Sequence, residues 1–118
     1  MKRLLLIVST PAYRGSRLSE AIEATLVGAV FDFEVSVLFV EAGVSALRTD
    51  QNADEYGVKT ISRMLNSLST YDIERVYACS DSLAGHQIDT DALSFSVAAL
   101  DESGQADIIA QQDIVLSV

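Results

Sequence analysis

Leu4-Leu5-Leu6-Ile7-Val8 is the stretch of sequence that decides the fold. Its five apolar residues follow one another without alternation, which is typical of a strand whose two faces are both covered by helices. The stretch therefore predicts an interior strand of a parallel sheet in an α/β domain. It is too short for the apolar region of a signal peptide, and no run approaches the ~18 apolar residues of a membrane-spanning helix. We therefore expect a soluble, cytoplasmic protein.

The rest of the chain alternates between helix and strand patterns. Apolar spacing and β-branched runs predict helices over 17–31, 44–48, about 55–69 and 101–111, and strands over 35–40, 75–79, 95–99 and 113–118. Such alternation predicts a doubly wound layer structure with right-handed crossovers. We expect one domain over residues 1–118. Its sheet should be mostly parallel and five-stranded, with helices on both faces, as in flavodoxin-like proteins.

The charge balance indicates the kind of partner. Eight Lys and Arg stand against 17 Asp and Glu, a net charge of −9 that opposes attraction to a phosphate backbone. We therefore expect protein partners and no direct contact with nucleic acid. A single cysteine excludes an intrachain disulfide and indicates a reducing compartment. The high apolar content of so acidic a chain suggests that partner subunits cover part of its surface, around Phe31, Phe33 and Tyr71.

Several segments together resemble a known family. They are the loop after the first strand, the turn at 39–44 (Phe-Val-Glu-Ala-Gly-Val), the segment 71–74 (Tyr-Asp-Ile-Glu), Cys79 and the stretch 113–116 (Asp-Ile-Val-Leu). Their order and spacing resemble the DsrE/DsrF family, and within it the TusC (DsrF-like) members. The resemblance covers essentially the whole chain and implies the DsrEFH-like version of the fold.

The resemblance also implies a function. It suggests a subunit that assembles with TusB-like and TusD-like partners into a hexamer, a dimer of heterotrimers, which relays persulfide sulfur. In that family the sulfur passes through a TusE-like carrier toward 2-thiolation of the wobble uridine of certain tRNAs. The similar DsrEFH complex of sulfur-oxidising bacteria serves dissimilatory sulfur oxidation instead, and the sequence does not separate these two roles.

Cys79 is the candidate site residue, at the carboxyl end of the third predicted strand. A relay cysteine needs partial exposure and a lowered pKa. The resemblance places Cys79 where TusD-like subunits carry their persulfide cysteine, but basic residues follow there, whereas Ser80-Asp81-Ser82 follow here. We expect Asp81 to raise the pKa of the thiol. Since TusC-like members act as supporting subunits, the expected role is mainly one of interaction, and a persulfide on Cys79 is the alternative.

Other candidate sites receive less support. His86 would approach Cys79 if the segment between them were helical, but a solvated loop histidine is the favoured interpretation. One cysteine and one histidine give no ligand cluster with zinc spacing, so we expect no metal. The loop over 9–16 has the position of a phosphate-binding loop but lacks the G-x-G-x-x-G pattern. We therefore expect no flavin, nucleotide or other cofactor.

Overall fold

The computed structural model describes residues 2–10, 17–47, 68, 73, 75–89 and 96–118. These residues form a five-stranded, fully parallel sheet, β1 Arg3–Val8, β2 Glu34–Phe39, β3 Arg75–Cys79, β4 Ala98–Leu100 and β5 Ile114–Ser117, in the spatial order β4-β3-β2-β1-β5. The helices are α1 Arg17–Val30, α2 Ser80–Gly85 and α3 Glu102–Ala110, with a 3-10 helix at Glu41–Leu47. The predicted α/β fold with a parallel sheet is confirmed, and β1 lies inside the sheet between β2 and β5.

Most strand and helix boundaries lie close to the predicted ones, and the largest differences follow β2 and precede β4. The 3-10 helix begins at Glu41, three residues before the predicted short helix. β4 has only three residues, and Val97, which was predicted to lie in it, packs against the core instead. Phe95 and most of the helix predicted over 55–69 lie outside the described residues. Leu68 is described, is buried, and accepts a hydrogen bond from the N–H of Ile73 at 2.9 Å.

Both faces of β1 and β2 are buried, as the unbroken apolar run predicts. One face of these two strands packs against α1, which contributes Ile22, and together they form the main core. The strand residues on this face are Leu4, Leu6, Val8, Val35, Val37 and Phe39. Leu5 and Leu38 point to the opposite face, where they are also buried. In-register pairing sets Leu5 beside Ser36 and Ile7 beside Leu38. Because paired residues of parallel strands share a face, the two layers are continuous across the sheet.

The order of the strands places α3 on the face opposite α1. The chain moves in one direction from β1 through β2 and β3 to β4, and then returns to β5 on the other side of β1. Parallel strands are joined by right-handed crossovers, so a reversal of direction also reverses the face on which the connecting helix lies. Asp101 caps α3 by accepting the N–H of Gly104 at 2.8 Å.

A close backbone contact ties β2 to β1 at the carboxyl edge of the sheet. Glu41 has a φ of 51°, and this left-handed conformation turns the chain sharply after β2. Gly43 then lies against the carbonyl group of Val8, where a Cβ atom would overlap the carbonyl oxygen. Only glycine fits this approach. The turn also aims the N–H of Glu41 at α2.

The other edge of the sheet carries a charged cluster. Glu34, at the start of β2, contacts Arg3 of β1 at 3.3 Å and Arg75 of β3 at 2.7 Å. These ion pairs join the first residues of three adjacent strands, and they are partly exposed to solvent. None of the helices in the described part of the chain has the length and apolar content that a membrane span requires.

Candidate functional site

Cys79 lies at the carboxyl edge of the sheet, between the sheet and α3. It is the last residue of β3 and the N-cap of α2, and it pairs in register with Leu100 of β4. Its neighbour Ala78 belongs to the main core, so the alternation of the strand turns the Cys79 side chain to the opposite face. The thiol is free and partly buried. The predicted position at the end of a strand is therefore confirmed.

Polar groups from two helices, α2 and α3, act on the sulfur. The hydroxyl and the N–H of Ser82, the side-chain amide of Gln105 and the N–H of Asp81 all act on it as hydrogen-bonding groups. The Cys79 side chain itself makes no capping hydrogen bond to α2. These groups therefore matter mainly when the sulfur carries a negative charge, because a thiolate is a much stronger acceptor than a thiol.

Ser82 and Gln105 are each held in place by a second hydrogen bond. The Ser82 oxygen accepts the N–H of Glu41 at 2.8 Å, which leaves the hydroxyl proton free to point at the sulfur. Gln105 Nε2 donates to the carbonyl oxygen of Leu100 at 3.0 Å, which fixes its amide beside the end of β4. The turn after β2 and the helix after β4 thus both orient groups around a cysteine at the end of β3.

The pKa of Cys79 is lowered from its ordinary value. Burial is the largest single influence and raises the pKa of the thiol, but the hydrogen bonds from Ser82, Gln105 and the N–H of Asp81 together outweigh it. The expectation that Asp81 raises the pKa of Cys79 is therefore wrong. The Asp81 carboxylate is exposed to solvent, while its backbone N–H acts on the sulfur. A lowered pKa increases the fraction of thiolate, the form that attacks disulfide and persulfide sulfur.

His86 does not pair with Cys79. It forms the C-cap of α2, where its N–H donates to the carbonyl oxygen of Ser82 at 3.0 Å. The two residues cap opposite ends of α2, seven positions apart, which is about 10.5 Å along the helix axis. His86 lies in the turn that follows α2 and is partly exposed, which agrees with the favoured interpretation of a loop histidine. Within the described ranges, no three potential metal ligands cluster.

Acidic residues follow three of the strands at the edge of the sheet where Cys79 lies. Glu41 follows β2, Asp81 follows β3, and Asp101 and Glu102 follow β4; all four are exposed. Carboxyl ends of parallel strands meet at one edge of a sheet, so these residues share that edge although they are distant in sequence. They give this edge a negative charge.

Cys79 was identifiable from the sequence, but the groups that lower its pKa were not. Gln105 lies 26 positions further along the chain and reaches the thiol only because α3 crosses the face on which Cys79 points. The connection from β4 to β5, which returns to the other side of β1, was the signal that could have suggested a contact between α3 and Cys79. The segment from Ser80 to Gly85 was expected to begin a loop or a helical turn, and the spacing of three between Cys79 and Ser82 is the signal for a group in the first turn of a helix.

Comparison with known proteins agrees with this architecture. Residues 2–118 match the DsrE/DsrF-like family. The intracellular sulfur oxidation protein DsrF of Allochromatium vinosum is 38% identical over 74 residues, which are 63% of this chain and 54% of that protein. A TusC homolog of Pseudomonas aeruginosa is 26% identical over 119 residues, covering 100% of both chains. A TusC homolog of Pasteurella multocida is 34% identical over 86 residues, 71% of each.

A solved structure shows the same fold. The ychN protein from E. coli superposes with a TM-score of 0.87 at 18% identity, and the match covers 100% of both chains. At that level of identity the likeness concerns the fold alone. The family match over nearly the whole length, together with the TusC and DsrF relatives, decides the assignment. The chain therefore belongs to the DsrE/DsrF-like family and is a TusC/DsrF-like member of it.

Proposed function

We propose that this protein is a subunit of a cytoplasmic complex that relays persulfide sulfur between protein cysteines, and that its main task is to hold partner subunits in place. The observation that carries the proposal is the match of residues 2–118 to the DsrE/DsrF-like family, with TusC and DsrF proteins as relatives. The partners are TusB-like and TusD-like subunits in a heterohexamer, and a TusE-like carrier takes the sulfur onward.

The sulfur is destined for 2-thiolation of the tRNA wobble uridine. Relatives named TusC, one of them aligned over 100% of both chains, support this destination. The net charge of −9 agrees with contacts to proteins and opposes direct contact with the tRNA. The DsrF relative supports dissimilatory sulfur oxidation as the alternative pathway. Deleting the gene and measuring 2-thiouridine in tRNA distinguishes them, since only the first pathway predicts its loss.

A second candidate role is that Cys79 carries sulfur itself. The lowered pKa of a partly exposed thiol is the observation that favours it. The Cys79 thiolate would attack the outer sulfur of a donor persulfide. The donor S–S bond breaks, a new S–S bond forms on Cys79, and the donor cysteine leaves as a thiolate with the electron pair. The acceptor repeats the exchange, so sulfur moves without net oxidation or reduction.

Sulfur transfer by the reconstituted complex separates the two roles. The complex is assembled from this chain with its TusB-like and TusD-like partners, and radiolabelled sulfur is followed from the TusD-like persulfide to the TusE-like carrier. For a supporting subunit we expect Cys79→Ser to leave the rate unchanged, because the variant keeps the shape of the side chain. A rate reduced to background, with Ser103→Ala as an unaffected surface control, would instead assign the sulfur-carrying role to Cys79.

A further inference from the structure

The outward side of α1 carries a second apolar face. The inner side packs on the sheet through Ile22, Leu26 and their neighbours. On the opposite side, Val27, Val30 and Phe31 are 56%, 62% and 72% exposed. These three and the exposed Ala24 share one side of the helix because they are spaced three and four residues apart. We call Ala24, Val27, Val30 and Phe31 the outer face.

A helix that is apolar on all sides is normally buried on all sides. From Leu26 to Phe31 every residue is apolar or glycine, so the last turns of α1 have no polar side to present to water. Phe31 follows the helix directly and is the most exposed large apolar residue in the described part of the chain. Phe33, predicted to share a partner surface with Phe31, packs against the core instead, and Tyr71 lies outside the described residues.

The charges beside the outer face indicate what covers it. Glu23 lies one turn before Val27 on the same side, and Asp32 follows Phe31 in a left-handed conformation with a φ of 68°. The last turn of α1 contains no basic residue, so the partial negative charge of the helix end is uncompensated within its own turn. An apolar patch bordered by negative charge is complementary to apolar side chains bordered by Lys or Arg.

A second copy of this chain does not provide that complement. If two outer faces packed antiparallel about a two-fold axis near Val27, Glu23 of each copy would approach Asp32 of the other. Like charges would then meet at both ends of the contact, between chains that each carry a net charge of −9. A different chain with basic residues avoids this repulsion.

We infer that the outer face of α1 is the docking surface for a different subunit, which presents apolar side chains flanked by Lys or Arg. The inference rests on the proposed function, because the occupant is one of the two partners of the relay complex. Phe31 is the anchor of this contact, since large exposed aromatic residues commonly contribute most to association. Glu23 and Asp32 set its orientation and make association sensitive to salt.

The test is the affinity of the purified chain for its TusB-like and TusD-like partners, measured by calorimetry at low and high salt. Phe31→Glu should weaken association roughly thirtyfold or more, the fold-change that corresponds to loss of an aromatic anchor. Phe31→Leu is the matched control and should weaken association much less than Phe31→Glu, because it keeps an apolar contact. Glu23→Lys should weaken association at low salt more than at high salt. Both positions are exposed, and circular dichroism checks that the variants fold.

The possible results distinguish a failure of the outer face as docking surface from a failure of the proposed function. If the wild-type complex forms and Phe31→Glu binds equally well, the outer face is not the docking surface, while the proposed function stands. If the chain binds neither partner, the proposed function fails and the inference fails with it. If the chain dimerises by itself and Phe31→Glu abolishes the dimer, the occupant is a second copy, which also overturns the inference.

Discussion

At the scale of single residues, Ser82 links the backbone to the reactivity of Cys79. Its oxygen accepts the N–H of Glu41, and its hydroxyl group acts on the cysteine sulfur. Accepting the N–H of Glu41 uses a lone pair of the hydroxyl oxygen and leaves its single proton available to the sulfur. Ser82 is thus one of the groups that stabilise the thiolate, beside Gln105 and the N–H of Asp81.

This arrangement predicts that Ser82→Ala raises the pKa of Cys79. Hydrogen bonds to the thiolate favour the charged form, so removing one shifts ionisation to higher pH. The rate of alkylation by iodoacetamide, followed against pH, reports the thiolate fraction. We expect the midpoint of the variant above that of the wild type, and a slower reaction at neutral pH. Ser80→Ala is the neighbouring control, and an unchanged midpoint in Ser82→Ala would show that the hydroxyl does not act on the sulfur.

The position of Cys79 could be predicted from the sequence, but the direction of its pKa shift could not. Cys79 ends an apolar run and precedes polar residues, which is enough to place it at the end of a strand. The direction of its pKa was not available, because Asp81 acts on the sulfur through its backbone N–H and not through its carboxylate. Whether a charged side chain points toward or away from a neighbour depends on the turn between them, which composition does not reveal.

At the scale of elements, the close contact between the 3-10 helix and β1 depends on Gly43. Any Cβ atom there meets the main-chain carbonyl of Val8, which cannot move without disturbing an interior strand. The 3-10 helix begins with Glu41, the residue that orients Ser82. The geometry of the thiol site therefore rests partly on a glycine that does not contact the sulfur.

We predict that Gly43→Ala lowers the free energy of unfolding by about 2 kcal/mol or more, because the added methyl forces backbone apart. Gly85→Ala is the matched control, since its Cβ meets no atom within 4 Å. It should be neutral or stabilise the protein by up to about 1 kcal/mol, as alanine favours helix. Urea unfolding of both variants measures the difference. Equal stability of the two variants would contradict the close packing described for Gly43.

The elements differ in how well sequence patterns predicted them. β1 was predictable because Leu4–Val8 leaves no other reasonable assignment, and α3 because Asp101 caps a run of suitable length. β4 was not, since three residues, Ala98–Leu100, are too few for a periodicity to emerge. The start of the 3-10 helix was predicted three residues too far along the chain, because it depends on the left-handed turn at Glu41.

At the scale of the whole molecule, the centre of the sheet is better covered than its two end strands, β4 and β5. β1 and β2 are buried on both faces, but no residue from 96 to 118 is fully buried, although this segment supplies two strands and α3. Val115 and Leu116, on opposite faces of β5, are both exposed. Parallel strands are normally covered on both faces. The apolar pattern of β5 resembles that of an interior strand, so the sequence did not reveal that β5 lies at the end of the strand order.

Isolation of the chain from its native host tests the central proposal of a relay subunit most directly. The tagged chain is purified under non-reducing conditions, and native mass spectrometry gives the mass and composition of the particle. We expect a particle that contains TusB-like and TusD-like chains, with two copies of each beside two copies of this chain. Recovery of the chain alone, or only with further copies of itself, would contradict it.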